Sequence, residues 1–170
     1  MKIVAATLLA AALAVAAAVL YFAVLRPRAI RENEAAAVAT LETLREAQLR
    51  FRVQDRDGNK INDFWTADIA GLDVPGLTDG RPLRGYLFIP LLDHDCSTAN
   101  DIIDPRMISY LDDRLSGFGF CAYPADYGRT GKTTFLLCEH GDILRLDSGG
   151  RPVTRWPGSA CPQLMWQKLD

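Results

Sequence analysis

A long apolar run passes directly into an amphipathic helix at the start of the chain. Ile3–Leu25 is 23 residues without a charge, and at about 1.5 Å per residue it can cross the roughly 30 Å hydrocarbon core of a bilayer. The alternative is a cleaved signal peptide, with Lys2 as its positive start and Ala16–Ala18 as a small-residue cleavage pattern. Because such cleavage would leave the apolar stretch VLYFAVL in place, we predict an uncleaved membrane anchor over residues 1–26.

The helix that follows, predicted over residues 29–53, has one apolar face. At about 100° per residue, five positions fall within about 120° of one another. They are Ala37, Leu41, Leu44, Gln48 and Phe51. We predict that this face packs on the core of the domain and supports assembly. Only RPRAI separates the apolar run from this helix, so we predict one long helix that is kinked at Pro27.

The remainder of the domain, predicted over residues 27–170, alternates short apolar runs with Gly and Pro. Four strands are predicted within residues 85–156. They are Tyr86–Leu91, Phe118–Tyr123, Thr133–Cys138 and Ile143–Leu146. His140 and Gly141 form a plausible two-residue hairpin turn, and RPVTRWPG predicts a further short strand or an extended tail. The predicted class is α+β, with a long N-terminal helix packed on an antiparallel sheet of about four strands.

Charge and cysteine content bear on compartment and partners. The chain carries 19 Lys and Arg against 21 Asp and Glu, so no basic excess indicates nucleic acid. Four cysteines without zinc-binding spacing predict disulfides in an oxidising, extracytoplasmic domain, with buried thiols as the alternative. They are Cys96, Cys121, Cys138 and Cys161, and all three pairings stay open. Arg26, Arg28 and Arg31 favour the opposite orientation, because positive residues usually stay in the cytoplasm.

The stretch DRDGNKINDF after the helix has the oxygen ligands of a calcium loop. The side chains of Asp55, Asp57, Asn59 and Asp63 and the carbonyl of Ile61 fall at the first, third, fifth, ninth and seventh positions of such a loop. The sixth and twelfth positions, Lys60 and Thr66, depart from the EF-hand pattern, although Asp68 lies nearby. A solvated turn that ends the helix accounts for these residues, and the alternative is a weak, structural Ca²⁺ site of the looser Asp/Asn/Gly type.

Two other stretches suggest chemistry that their context does not support. Gly131-Lys132-Thr133 copies the end of a phosphate loop, but Asp126 stands where the pattern needs Gly, and a strand is predicted to follow rather than a helix. His94 and His140 each lie near a cysteine, but in acidic, turn-like contexts. We therefore predict no nucleotide site and no catalysis.

A helix that covers a small antiparallel sheet and continues as an anchor resembles type IV pilins and pseudopilins. The sequence RENEAAAVATLETLREAQLRF is similar to their post-anchor helix. GFCAYPADYGRTGKTTFLLCEHGDILRLDSGG and RWP are similar to the sheet region of pilin-like proteins of planctomycete-type bacteria. The resemblance implies a non-catalytic, membrane-anchored structural or assembly protein of the cell envelope, with like subunits as partners.

One departure from the pilin pattern leaves a second function open. The prepilin cleavage site is followed by an apolar run with a glutamate, whereas this chain has AATLLAAAL there and no acidic residue in Ile3–Leu25. An intramembrane carboxylate is costly and usually functional. Its absence favours a stand-alone, membrane-tethered extracytoplasmic binding domain that does not polymerise.

Overall fold

The computed structural model describes residues 2–92, 117–157 and 165–169. The fold is α+β, as predicted: a long N-terminal helix precedes an antiparallel sheet whose strands follow one another in chain order. Cys96, Cys161 and His94 lie outside the described residues. The predictions that involve these three residues therefore stay predictions.

The helix runs without a linker from the apolar segment into the domain. Helix α1, Lys2–Leu20, is followed by a π-helical turn at Tyr21–Leu25 and by helix α2, Arg26–Gln54. The exposed apolar part of this continuous helix is long and apolar enough to cross a membrane. This finding agrees with the predicted anchor, and it leaves the orientation of the domain open.

Pro27 explains the π-helical turn that interrupts the helix. Proline has no backbone N–H, and its ring collides with the carbonyl of the residue four positions earlier. The regular series of backbone hydrogen bonds between residues four apart is interrupted here. The Arg26 N–H instead donates to the carbonyl of Tyr21, five residues back. The helix therefore contains a single π-helical turn just before Pro27, the form in which this rare geometry mostly occurs inside α-helices. The kink predicted at Pro27 stays a prediction.

Helix α2 ends where a left-handed residue turns the chain. Asp55 has φ 45° and ψ 56°, and the Gly58 N–H donates to the Asp55 carbonyl at 2.9 Å. Asp and Asn tolerate this conformation better than most residues because their short polar side chains bond locally. The predicted end at residue 53 therefore lies one residue from the observed end at Gln54.

The sheet contains all four predicted strands and one that was not predicted. Its strands are β1 Tyr86–Pro90, β2 Gly119–Pro124, β3 Thr134–Cys138, β4 Ile143–Leu146 and β5 Gln167–Lys168. Each strand pairs with the next, in the order β1-β2-β3-β4-β5. Strand β5 has only two exposed residues, so no apolar alternation marks it in the sequence. Residues 151–157 form an extended segment.

The turn between β3 and β4 differs from the predicted two-residue hairpin at His140-Gly141. The Gly141 N–H donates to the Cys138 carbonyl at 2.9 Å, and the Cys138 N–H donates to the Asp142 carbonyl at 3.3 Å. These bonds close a three-residue loop, Glu139–Gly141. Gly141 has φ 87° and supplies the left-handed position that ends such a loop.

The main core lies between α2 and the inner face of the sheet. Ala37, Leu41, Leu44, Ala47, Gln48 and Phe51 are the buried residues of α2. They include all five predicted positions, so the predicted core face is confirmed. The sheet contributes Tyr86, Phe88, Phe120, Ala122, Phe135, Leu137 and Ile143 to the same core. A segment from Phe64 to Leu77 closes the end of the core, with the Phe51 and Trp65 rings 5.6 Å apart.

A second, smaller core covers the outer face of the sheet. Leu91, Cys121 and Leu136 are buried there, under partly buried side chains that include Val153, Trp156 and Trp166. The extended segment is tied down by backbone hydrogen bonding, since the Leu92 N–H donates to the Thr154 carbonyl at 2.8 Å. The sheet is therefore covered on both faces, by the helix on one side and by C-terminal residues on the other.

Gln48 is the one polar residue within the predicted apolar face, and the structure explains its position. Its side chain is fully buried. Its Nε2 donates to the Trp65 carbonyl, and its Oε1 accepts the Trp65 N–H at 2.9 Å. Because a buried backbone group without a partner is costly, this amide allows the Phe64–Leu77 segment to lie against the helix.

Replacing Gln48 with methionine is expected to lower the free energy of unfolding by about 2 kcal/mol, since the volume is kept while two buried backbone groups lose their partners. The measurement is urea unfolding of the full chain in detergent, followed by near-UV circular dichroism. Gln54→Met is the matched control, because Gln54 is exposed at the end of the same helix. Equal losses in the two variants would contradict the role assigned to Gln48.

Candidate functional site

The first turns of α2 hold the loop of residues 125–133, which we call the docking loop. The Arg26 Nη2 donates to the Gly128 carbonyl at 2.7 Å, and the Asn33 Nδ2 donates to the Thr130 carbonyl at 2.9 Å. Arg26 and Asn33 are seven residues apart and therefore share one side of the helix. The same side of α2 is therefore polar near its N-terminus, and it becomes apolar from Ala37 onward, where it packs on the core.

Glu34 completes the attachment of the docking loop. Its Oε1 accepts the backbone N–H groups of Lys132 and Thr133, each at 3.1 Å. Hydrogen bonds to an ionised carboxylate are among the stronger ones in proteins. The loop is therefore fixed to the helix by side chains that recognise its backbone.

Tyr86, in strand β1, contacts the docking loop from the core side. Its ring is fully buried, and its hydroxyl donates to the Thr133 carbonyl at 2.9 Å. Burial raises the pKa of the Tyr86 hydroxyl, and the nearby Glu34 carboxylate acts in the same direction. Gly131 leaves room for this ring, because a Cβ there would come within 2.6 Å of the Tyr86 Cζ.

A cleft of about 670 Å³ opens where the apolar helix meets the docking loop. Its lining combines apolar and cationic side chains. The residues are Phe22, Arg26, Pro27, Ile30, Arg31, Gly128 and Lys132. The Arg26 guanidinium lies 5.7 Å from the centre of the Phe22 ring, a cation–π distance. We refer to this feature as the junction cleft.

The structure brings the predicted calcium ligands into one loop. Asn59 Nδ2 donates to Asp57 Oδ2 at 2.8 Å and to Asp63 Oδ2 at 3.2 Å. Asp55 caps the turn, accepting the Lys60 N–H at 3.0 Å, while Asn59 Oδ1 accepts the N–H of Ile61 at 2.6 Å. The loop is thus held by hydrogen bonds among its own residues, and the carboxylates of Asp57 and Asp63 both accept from the side-chain amide of Asn59. Calcium binding by this loop stays a prediction.

Asp68, the nearby carboxylate considered for the same loop, has a different use. Its Oδ1 accepts the Gly71 N–H at 2.7 Å and the Trp65 Nε1–H at 3.2 Å. It therefore bonds the backbone of the short 3₁₀ turn at Ala70–Leu72 and holds the Trp65 ring in place. This role is structural.

His140 lies beside Cys138, one of the thiol–histidine pairs considered above. The Cys138 Sγ is 4.0 Å from His140 Nδ1, and Glu139 Oε1 is 3.6 Å from the same nitrogen. These ligand atoms lie within 4.8 Å of one another, and all three types can bind Zn²⁺. However, Cys138 is 1% exposed, so a substrate cannot reach its sulfur in this conformation. The cluster therefore gives no support to nucleophilic catalysis.

Cys121 and Cys138 lie on neighbouring strands but not opposite each other. The register pairs Cys121 with Leu136 and Cys138 with Gly119, which makes the two cysteines diagonal neighbours. Their Cα atoms are then about 7–8 Å apart, beyond the usual disulfide span of about 4.4–6.8 Å. A disulfide between these two residues would require the backbone to move. The predicted disulfides otherwise stay untested.

The burial of Cys121 predicts a loss of stability at alkaline pH in the reduced protein. Burial raises the pKa of the Cys121 thiol to about 12, against an ordinary value of 9.0, while the hydrogen bond from the Val153 N–H acts in the opposite direction. Above about pH 9 the unfolded thiol releases its proton and the folded thiol keeps it. The free energy of unfolding should therefore fall by about 1.4 kcal/mol per pH unit in this window.

Urea unfolding of the reduced protein between pH 7 and pH 11 measures this loss. The Cys121→Ala variant serves as the comparison, and its stability should depend less steeply on pH above about 9, where the reference thiol ionises. Identical slopes in the two proteins would assign the loss to other groups, among which the Tyr86 hydroxyl also has a raised pKa.

The contact between helix α2 and the docking loop was not predicted, although the sequence contains one signal for it. Asn33 and Glu34 precede Ala37 and Leu41 at helical spacing, so polar residues continue the side of the helix that faces the domain. Such residues need polar partners, and these lie about a hundred positions away in the docking loop.

The segment after Gly131-Lys132-Thr133 is strand β3 and not a helix, as predicted.

Comparison with known proteins places the sheet, rather than the helix, within a described family. No curated protein and no solved structure matches the chain. A family model, DUF2950, described as a protein of unknown function, matches residues 78–167. This range includes strands β1 to β4 and the start of β5 and covers just over half of the chain. The chain therefore belongs to the DUF2950 family.

Proposed function

We propose that this protein is a single-pass inner-membrane protein of pilin-like type, with its C-terminal domain outside the cytoplasm. Its function is structural: it assembles with like or homologous pilin-like subunits in the cell envelope and carries out no catalysis. The observation that carries the proposal is the continuous helix. Its apolar half is exposed and its other half forms the core of the domain.

The assembly surface in this proposal is the apolar half of the helix. The predicted helix face, from Ala37 to Phe51, is buried in the domain's own core and is not available to another subunit. In contrast, Leu9, Leu13 and Val19 are each at least 60% exposed. In lipid, helices associate by close packing of such surfaces.

A second candidate function is a membrane-tethered binding domain that does not polymerise. The absence of an acidic residue from Ile3–Leu25 favours it, because no intramembrane carboxylate is present to direct assembly. This alternative keeps the same membrane topology and differs in the state of association.

Site-specific photocrosslinking in cells separates the two functions. A photoreactive amino acid at Leu13, in the apolar half, should yield crosslinked dimers and larger species if the protein assembles through this surface. The same group at Arg50, an exposed position of α2, is the matched control. Adducts at neither position would favour the tethered domain over assembly.

Orientation needs its own test, because the arginines after the apolar run and the cysteines of the domain favour opposite sides. Protease added to spheroplasts should digest the domain if it lies outside the cytoplasm, and an N-terminal mass measurement should recover residues 1–25. Cys121 and Cys138 are buried, so thiols must be labelled after denaturation, with and without reduction. Protection until lysis, with reduced thiols, would contradict the extracytoplasmic proposal.

A further inference from the structure

We propose that the junction cleft binds the phosphate-bearing headgroup of an anionic phospholipid. The inference rests on the membrane insertion in the proposed function and is independent of assembly. The cleft would hold one lipid of the leaflet from which the domain emerges. The bound lipid would fasten the docking loop to the helix at the membrane surface.

The depth of the cleft fits a lipid headgroup. The uncharged run ends at Leu25, and about 20 helical residues suffice to cross the hydrocarbon core. Arg26 to Arg31 therefore lie at the level of the headgroups, and Tyr21 and Phe22 lie where aromatic residues concentrate at a membrane surface. A cleft lined by these residues opens at the depth of the lipid phosphates.

The charge of the cleft fits an anion. Three cations line it, Arg26, Arg31 and Lys132, and no carboxylate is among its lining residues. Within residues 9–92, 117–157 and 165–169, none of the ion pairs involves these three side chains. Glu34 is the acidic residue among the docking contacts, and its carboxylate accepts two backbone N–H groups instead of pairing with one of these cations. The positive charge is therefore available to a ligand.

Arg26 is the cation of the cleft that other groups hold in place, whereas Arg31 and Lys132 are exposed to solvent. Arg26 is fixed by its bond to the Gly128 carbonyl and by the Phe22 ring, while its other N–H groups remain available for a phosphate, which guanidinium binds in a forked geometry. Phe22, Pro27 and Ile30 supply apolar contacts, which suit the glycerol and upper acyl carbons of a lipid and not a free phosphate ion.

Two separate parts of the chain form this cleft, which gives the proposal a structural consequence. Arg31 belongs to α2 and Lys132 belongs to the docking loop, so the cations come together only when the loop is docked on the helix. A ligand that binds only this arrangement stabilises it by mass action. Binding should therefore protect the docking loop as well as neutralise the cleft.

Native mass spectrometry of the delipidated full chain in detergent tests the proposal. Short-chain phosphatidylglycerol should bind at least tenfold more tightly than the phosphatidylcholine of equal chain length. Arg31→Gln and Lys132→Gln should each weaken phosphatidylglycerol binding about fivefold, as expected for one cation at a membrane surface. Arg50→Gln, an equal charge change on an exposed part of α2, should leave binding unchanged.

Each other outcome overturns the proposal in an identifiable way. Equal binding of the two lipids would remove the headgroup preference. Inorganic phosphate that displaces the lipid at equal concentration would make a free anion the ligand, and tighter binding of an acidic peptide would make it a protein site. Near-UV circular dichroism confirms that each variant is folded. Alkaline extraction of membranes tests insertion separately, so a failure of the proposed topology is distinguishable from a failure of lipid binding.

Discussion

Replacing Leu44 with alanine should lower the free energy of unfolding by about 3 kcal/mol and the melting temperature by about 10 °C. Leu44 is fully buried where α2 meets the sheet. The substitution removes apolar contacts and leaves a cavity that a closely packed core fills only partly. Thermal unfolding of the full chain in detergent, followed by near-UV circular dichroism, measures the loss of tertiary packing.

Leu49→Ala is the matched control for this result, because Leu49 lies in the same helix and is 39% exposed. It makes the same chemical change away from the core and should cost well under 1 kcal/mol, as surface substitutions usually do. If the two variants lost stability equally, the assignment of the core face would be wrong.

Replacing Gly131 with alanine should cost about 3 kcal/mol and loosen the docking loop. The added Cβ would lie 2.6 Å from Tyr86 Cζ and 2.7 Å from Tyr86 Cε2, closer than carbon atoms approach without strain. Because the ring is buried, it cannot turn away into solvent, and overpacking of this kind costs about 1–3 kcal/mol or more. The measurement is urea unfolding together with amide hydrogen exchange of residues 125–133.

Gly128→Ala in the same loop provides the comparison. A Cβ at Gly128 meets no atom within 4 Å, but its φ of 74° is left-handed, so the expected cost is only about 1 kcal/mol. Gly131→Ala should cost less when it is introduced into the Tyr86→Leu variant than into the unchanged protein, because the ring that its Cβ would strike is absent. Absence of any such coupling would place the strain elsewhere.

The sequence predicted the elements of this fold well where one periodicity dominates. The spacing of Ala37, Leu41 and Leu44 is helical, and their burial follows from packing on an apolar sheet. Strands β1 to β4 are short apolar runs between Gly, Pro and polar turns, and each bound was predicted within one residue. In these segments local pattern and tertiary burial agree.

The features that were missed depend on contacts between distant residues or on hydrogen bonds alone. Asn33 and Glu34 take their roles from the docking loop about a hundred residues later, and nothing local identifies those partners. Strand β5 pairs through two exposed residues, Gln167 and Lys168, whose side chains carry no apolar alternation. The junction cleft follows from both kinds of contact, since it needs the loop in place on the helix.

The π-helical turn at Tyr21–Leu25 sets the direction in which the domain points around the helix axis. One residue corresponds to about 100° of rotation in an α-helix, so removing one residue from this turn would swing the domain by roughly that angle relative to the apolar half. No flexible linker lies between the two halves to absorb such a rotation. The direction in which the sheet faces around the helix axis therefore depends on the five residues Tyr21–Leu25. This direction also determines which side of the domain faces a neighbouring protein in the membrane.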